Sequence, residues 1–315
     1  MEETQISQSE DPLPTSYLNK IELKDKQTFQ QFLPKDALIS DHTFASVFMW
    51  RNAIKLYWNI HSDCLCIYAN GDGGLTLLSA PSGNGDRYKA LNQAIEVCND
   101  YNKKTKYQQP MRVEYVDNNS LDLVKHLNIE SMSGDYVYET SRMIDLEGRD
   151  LASKRQAKNR FMRRFPNFSL VDYDKDSHYD SCLTLLSLWN NQGIEEMKYE
   201  NSIEIKRNKE LESTIECLKY SKELNLKGMV LFDASTLVGF TFGEQLSNDT
   251  CSILAEKVNR EYVGGANFIF AEFCKQHWSH TKYTNVGDDW DVPSLAWTKE
   301  SYRPIKREQK WMAKV

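Results

Sequence analysis

No stretch of this 315-residue chain approaches the ~18 consecutive apolar residues that a membrane-spanning helix requires. Residues 1–11 are acidic and lack the basic-then-apolar order of a secretory signal. There is no Cys-x-x-Cys pair, and seven cysteines are an odd set without a disulfide framework. Reduced thiols in a cytoplasmic protein are therefore the expectation. No Gly-x-Ser-x-Gly, P-loop or Cys/His nucleophile pair occurs, so hydrolase and nucleotidase readings find no support. Cys274-x-x-His277-x-x-His280 places donors a helical turn apart but supplies no fourth ligand, and no metal is expected. A net charge of −6 and a pI near 5.6 argue against an overall nucleic-acid or membrane coat.

What is present describes a globular chain: 40% hydrophobic and 11% aromatic residues, at a length that buries roughly three quarters of its unfolded surface. Residues 1–16 are polar, carry Pro12 and Pro14, and read as a disordered tail. Helices follow at 25–33 and after Ser40-Asp41-His42, which offer cap residues to a helix with Phe44, Val47, Phe48 and Met49 on its apolar face. Strands are expected at 53–59, 64–69 and 74–79, with Cys64 and Cys66 on one side of the second. A helix at 86–104, a strand at 111–116, a helix at 120–127 and a strand at 135–138 complete this half. The second half runs through a basic helix (150–165), a strand (168–173) and helices at 177–192 and 201–224. A three-strand meander (228–232, 237–245, 250–258) leads through a glycine-bearing loop into a helix at 266–277. A strand at 283–286, a helix at 293–301 and a strand-like run at 304–313 end the chain. The same order of elements occurs twice, which points to an α+β protein of two tandem domains, 17–140 and 141–315, joined near Glu139–Asp145.

A strand that enters a helix through glycines presents free N–H groups and a positive dipole end, which suits an anion. Meander, loop and helix resemble the core of the GNAT acyltransferase fold. In that family the loop holds the coenzyme A pyrophosphate, which would assign Gly264, Gly265 and Ala266 to cofactor binding. Glu261 stands where the family has a cation or an amide.

Three further stretches carry a longer resemblance: Tyr136-Val-Tyr-Glu-Thr140 with Leu146-Glu-Gly-Arg149, Lys154-Arg155 and Asn159-Arg160-Phe161; Gly239-Phe-Thr-Phe-Gly-Glu244 with Glu256-Lys257; and Asn285-x-x-x-Asp289 with Leu295, Lys299, Ser301-Tyr302 and Pro304. With Ser40-Asp-x-x-Phe44 and Trp50-Arg51, they resemble the family named for the C-terminal domain of phosphatidylglycerol lysyltransferase, in its short, soluble bacterial branch. The resemblance covers the chain from about residue 20. It implies a tandem GNAT fold and transfer of an aminoacyl group from a charged tRNA, with the acceptor left open among amines, hydroxyls, peptides and lipid head groups. The chain departs from the family at Ala152, Ser153 and Ala157, where histidines and a lysine are common, and at Ala296, where an arginine is usual.

Seven cations between Arg149 and Arg164 make a phosphate-tracking surface, or else a solvated helix face. Lys154, Arg155, Asn159 and Arg160 are its candidate substrate contacts. Glu244, Glu256 and Lys257 are the candidate catalytic residues: a carboxylate to take a proton from the acceptor and a lysine for the developing oxyanion. Their alternative is a cross-strand salt bridge. Asn285, Asp288 and Asp289, beside Trp290, could hold the ammonium of an aminoacyl group, or form an Asx turn and helix cap. Lys299 and Tyr302 complete the substrate-binding set. No cofactor is required by the aminoacyl-tRNA reading. An acyl-coenzyme A-dependent acyltransferase and a binding module without turnover are the alternatives.

Overall fold

The computed structural model describes residues 18–71, 74–107, 109–194 and 201–315. The polar tail expected at 1–16 and part of the turn at 70–73 lie outside the described residues. In chain order the elements are β1 (Asn19–Lys20), α1 (Lys26–Phe32), α2 (Phe44–Trp50), β2 (Leu56–His61), β3 (Cys64–Gly71), β4 (Gly74–Leu77), α3 (Arg87–Lys104), β5 (Arg112–Val116), α4 (Leu121–Val124), β6 (Asn128–Glu139), α5 (Thr140–Asp145) and α6 (Ala152–Arg164). They continue as β7 (Phe168–Asp172), α7 (Lys175–Ile194), α8 (Asn201–Tyr220), β8 (Lys227–Asp233), β9 (Thr236–Gln245), β10 (Thr250–Val258), α9 (Gly265–His277), β11 (Tyr283–Asn285), α10 (Pro293–Glu300) and β12 (Lys306–Lys314). The cap of α2 differs from expectation. Thr43, not the Ser40–His42 turn, accepts the Ser46 N–H, because Thr43 is the residue with extended backbone next to the helix.

All the described strands join one sheet in the order β1-β2-β3-β4-β5-β12-β6-β11-β10-β9-β8-β7. Two tandem GNAT units are visible in it. Each is an antiparallel meander, a helix and a parallel strand: β2-β3-β4-α3-β5 and β8-β9-β10-α9-β11. The final strands cross over. β6 pairs with β11 of the second unit, β12 pairs with β5 of the first, and β6 and β12 pair antiparallel with each other. The segment at 139–145 is the end of β6 and helix α5.

Period-two alternation sorts the apolar side chains onto the two faces. In β3, Cys64, Cys66 and Tyr68 pack with Leu91, Ala94 and Cys98 of α3, while Leu65 and Ile67 face α1 and α2. In β9, Phe240 and Phe242 pack toward α7 and α8, and a bulge between the Leu231 and Phe232 pairings breaks the alternation, so Val238 packs toward α6 and α9. All seven cysteines are buried and unpaired. No described helix is long and apolar enough to cross a membrane.

Candidate acyl-transfer cleft

β10 and β11 run parallel but pair only from Thr250 to Ser252 and from Tyr283 to Asn285. Beyond that point β10 continues to Val258 and bulges between Ile253 and Ala255, while β11 has ended. The strands splay, and the gap opens into a cleft of about 1150 Å³. Residues 253–257 form one lip and the loop 286–292 the other, with α8, α10 and the start of α9 as walls. A cleft of this size exceeds the roughly 300–1000 Å³ of ordinary small-molecule pockets.

Glu256 stands on the first lip. Its Oε2 is buried and has no hydrogen-bond partner. Burial pushes its carboxyl up to about 8, partly offset by the charge of Lys257. Its neighbour Tyr302 accepts a 2.5 Å hydrogen bond from Asn267 Nδ2, which leaves the phenol proton free to donate into the cleft. Burial, followed by the Glu256 charge, holds that phenol well above the usual tyrosine range. The Lys154 ammonium lies 4.4 Å over the Tyr302 ring and 5.7 Å from Trp297, a side chain left 71% exposed. No carboxylate pairs with Lys154 among the described residues, and burial lowers its pKa. α9 begins beside this group, with Ala266 on the cleft wall. Its N-cap is Gly264, at φ +89° and without a side-chain cap.

Glu256, Lys257, Ala266, Lys299 and Tyr302 thus line one cleft, with Lys154 stacked on its rim. Lys257 is not a free cation there: it pairs with Glu210 of α8 at 2.5 Å and lies 4.2 Å over the Trp189 ring. Lys299 donates to the carbonyls of Val286 (2.6 Å) and Asp288, and burial brings its ammonium down to about 8 despite nearby Asp288 and Asp135.

The remaining candidates do not line the cleft. Glu244 accepts the Thr43 hydroxyl at 2.5 Å, and burial lifts it to about 7. Asn285 is fully buried and bonds Asp135 at 2.9 Å and the Gly287 N–H at 2.8 Å. Asp289 accepts from Ser133 (2.6 Å), Tyr136 (2.5 Å) and the Asp291 N–H (3.0 Å), which is the Asx turn among the two roles considered for it. Burial opposes its charge, but the Ser133 and Tyr136 hydrogen bonds keep it below the usual carboxylate range. Arg155 holds the carbonyls of Leu146 (2.5 Å) and Gly148 (3.1 Å) at the end of α5. Asn159 and Arg160 lie exposed on α6. A Cβ on Gly264 would meet Ala157 O at 2.2 Å and one on Gly265 would meet Val258 at 3.0 Å, so these glycines let α9 pack on α6. Of the Cys/His set, His277 meets Asp172 at 3.0 Å and His280 meets Gln245 at 3.1 Å.

Cleft residues that no motif marks are Trp189 and Glu210 on the α7–α8 pair and Lys310, which pairs with Asp41 of the Ser40-Asp-x-x-Phe44 stretch, with the candidate Asp288 and, behind the lining, with Asp135. A period-two burial argument marks Lys310 only weakly, since β12 alternates charged and apolar residues irregularly.

The sequence from 35 to 314 matches the family model described as phosphatidylglycerol lysyltransferase, C-terminal. A solved structure of a conserved protein of unknown function from Bacteroides thetaiotaomicron superposes with a TM-score of 0.81 at 24% identity, covering 95% of this chain and 99% of that one. L-PGS from Bacillus licheniformis superposes at 0.65 with 12% identity, over 94% of this chain and 93% of that one. The C-terminal domain of a putative lysylphosphatidylglycerol synthetase from Agrobacterium fabrum gives 0.59 and 11%, over 93% and 90%. An uncharacterised protein of Mycoplasmoides gallisepticum is 22% identical over 187 residues, 59% of this chain and only 58% of that relative's length. The chain belongs to the phosphatidylglycerol lysyltransferase C-terminal family.

Proposed function

We propose that this protein is an acyl-transfer enzyme that moves an aminoacyl group from a charged tRNA to an amine or hydroxyl acceptor. Glu256 carries the reading: a carboxylate with an unpartnered buried oxygen, titrating near neutrality in a cleft, is suited to take and return a proton. The acceptor attacks the ester carbonyl carbon directly, and its proton passes to Glu256. Tyr302 donates to the carbonyl oxygen as that oxygen gains charge. The tetrahedral centre then collapses, the ester C–O bond breaks, and the tRNA 3′ oxygen leaves with the proton that Glu256 carried. No covalent enzyme intermediate is needed, because positioning and electrostatics lower the barrier.

Lys154 and the open first turn of α9 supply the site for a donor phosphate. The RNA body would lie along α6 and the turn before it, where Arg149, Arg160, Arg163 and Arg164 are exposed and pair with no carboxylate among the described residues. The same helix start fits the pyrophosphate of coenzyme A, which is the second reading.

Binding of purified protein to total tRNA across a salt series, with coenzyme A as competitor, tests the proposal. Tight, steeply salt-dependent binding that survives coenzyme A is expected, followed by transfer from charged tRNA that Glu256→Gln abolishes. Binding of coenzyme A alone moves the assignment to an acyl-coenzyme A enzyme. Binding of tRNA without turnover makes it a binding module, and binding of neither removes the donor assignment altogether.

A further inference from the structure

The Lys310 ammonium is 1% exposed and ion-paired with three carboxylates: Asp41, Asp135 at 2.6 Å and Asp288 at 2.9 Å. One oxygen from each carboxylate lies within 4.8 Å of the others, a spacing that would suit a divalent cation. The chain fills that position with its own lysine. Burial by itself would lower the Lys310 ammonium, but Asp135, Asp41 and Asp288 more than reverse this and hold it well above the usual lysine range. Each partner comes from a different element: the turn before α2, β6, the loop after β11, and β12 for the lysine itself.

We propose that Lys310 is the positioning residue of the cleft, an internal counter-cation that fixes the loop 286–292 and, through it, Lys299. This rests on the transfer reading above for its role in activity, though not for its structural consequence. That loop is bound at several points. Asp288 meets Lys310, its Oδ1 accepts the Trp290 N–H at 3.1 Å, and the Val286 and Asp288 carbonyls hold the Lys299 ammonium. Asp135 ties the hub to the rest of the site, accepting from Ser40 N at 2.7 Å and Asn285 Nδ2 at 2.9 Å. Gly287, Trp290 and Asp291 have positive φ (69°, 50° and 56°), so the loop adopts a conformation that unaided backbone disfavours for the two non-glycine residues. With the lysine removed, three carboxylates face one another unpaired, and of the hub partners the loop is the one whose backbone already carries positive φ at Trp290 and Asp291.

The test is Lys310→Met, which keeps much of the buried chain length and deletes the charge. The variant is expected to melt several degrees below wild type and to be cut by protease within residues 286–292. Millimolar Mn²⁺ is expected to reverse both effects and to give a bound-ion EPR signal that wild type lacks, because the vacated cup then holds the metal. Asp288→Asn, which retains the lysine and two of its carboxylates, covers the case where Lys310→Met does not fold: it should show the same local cleavage with little loss of melting temperature. Global destabilisation with no preferential cleavage of the loop, or no Mn²⁺ response in a folded Lys310→Met, overturns the proposal. In a transfer assay that wild type supports, Lys310→Met should lower kcat by at least tenfold with the donor KM little changed, and Mn²⁺ should restore it. Wild type inactive with every donor would defeat the transfer reading while leaving the proteolysis and EPR results to decide this one.

Discussion

The two GNAT units repeat one topology and differ at the start of their central helices. α3 begins at Asp86, whose carboxylate accepts the Lys89 N–H at 3.0 Å, and Arg87 turns back to Pro81 O and Ser120. That helix start is satisfied by its own negative charge, which an anion would find repulsive. α9 begins at a bare glycine, with Lys154 nearby and Ala266 on the cleft. The strands beside them differ in the same sense. β4 and β5 meet at one residue pair, and β4 and the residue after it give the cleft Gly74, Thr76 and Leu78, whereas the part of β10 beyond its pairing with β11 carries Glu256 and Lys257. The duplicated fold thus supplies the gap twice: Glu256 and Lys257 line it in the second unit, while the first unit lends the same cleft Asp41 and the Arg112–Glu114 pair, 3.1 Å apart. The first unit serves as floor and wall.

The largest effect expected from breaking this asymmetry comes from Glu256→Gln. It removes the proton acceptor but preserves shape, so transfer should fall roughly 10²-fold or more, with tRNA binding unchanged. A wild-type rate in this variant would show that the second gap is not where protons move. Next in size is the cationic side of the same unit. Lys154→Ala should weaken donor binding about tenfold, and Arg160→Ala with Arg163→Ala should lower the salt slope of RNA binding by about 2. An unchanged slope would remove α6 from the interface.

The pH dependence of stability sharpens the comparison further. Burial raises Glu256 to about 8 and Glu244 to about 7 in the folded protein, above the 4.5 of a free glutamate. Their contribution is therefore complete below about 4.5 and is lost as pH rises through those folded values. Glu256→Gln stays neutral throughout, so it should match wild type near pH 5 and melt a few degrees higher near pH 8.5 in thermal scans. Coincident melting curves at both pH values would mean that Glu256 is solvated.

Much of this was legible locally. β-rich runs bounded by Asp233–Ser235 and Ser247–Asp249 mark the meander, and two glycines before an apolar run mark the start of α9. What could not be read depends on partners distant in sequence. A basic stretch gives no indication of which cations turn inward, yet Arg155 holds the Leu146 and Gly148 carbonyls just after α5 and Lys158 pairs with Glu272 at 2.8 Å. Asp288 and Asp289 are adjacent and chemically alike, but one lines the cleft and the other is bound by Ser133 and Tyr136. Lys310 in Lys306-Arg-Glu-Gln-Lys310 reads as a solvated strand residue until β12 is placed between β5 and β6. Non-local pairing decided each of these, and local propensity carries no information about it.

The smallest expected effect is also the cleanest separation of the two units. Asp86→Ala deletes the cap of α3, leaving one more orphan N–H in a helix of the first unit. Loss of such a cap costs about 1 kcal/mol, which in a chain of this size lowers the melting temperature by about 2 °C. Because neither Asp86 nor Lys89 lines the cleft, tRNA affinity, its salt slope and transfer should all stay at wild-type values. The variant also removes the negative charge that distinguishes α3 from α9. If it gained affinity for inorganic phosphate or coenzyme A, the cap would prove to be what blocks a second anion site, and the first unit would be a masked copy of the second rather than its floor.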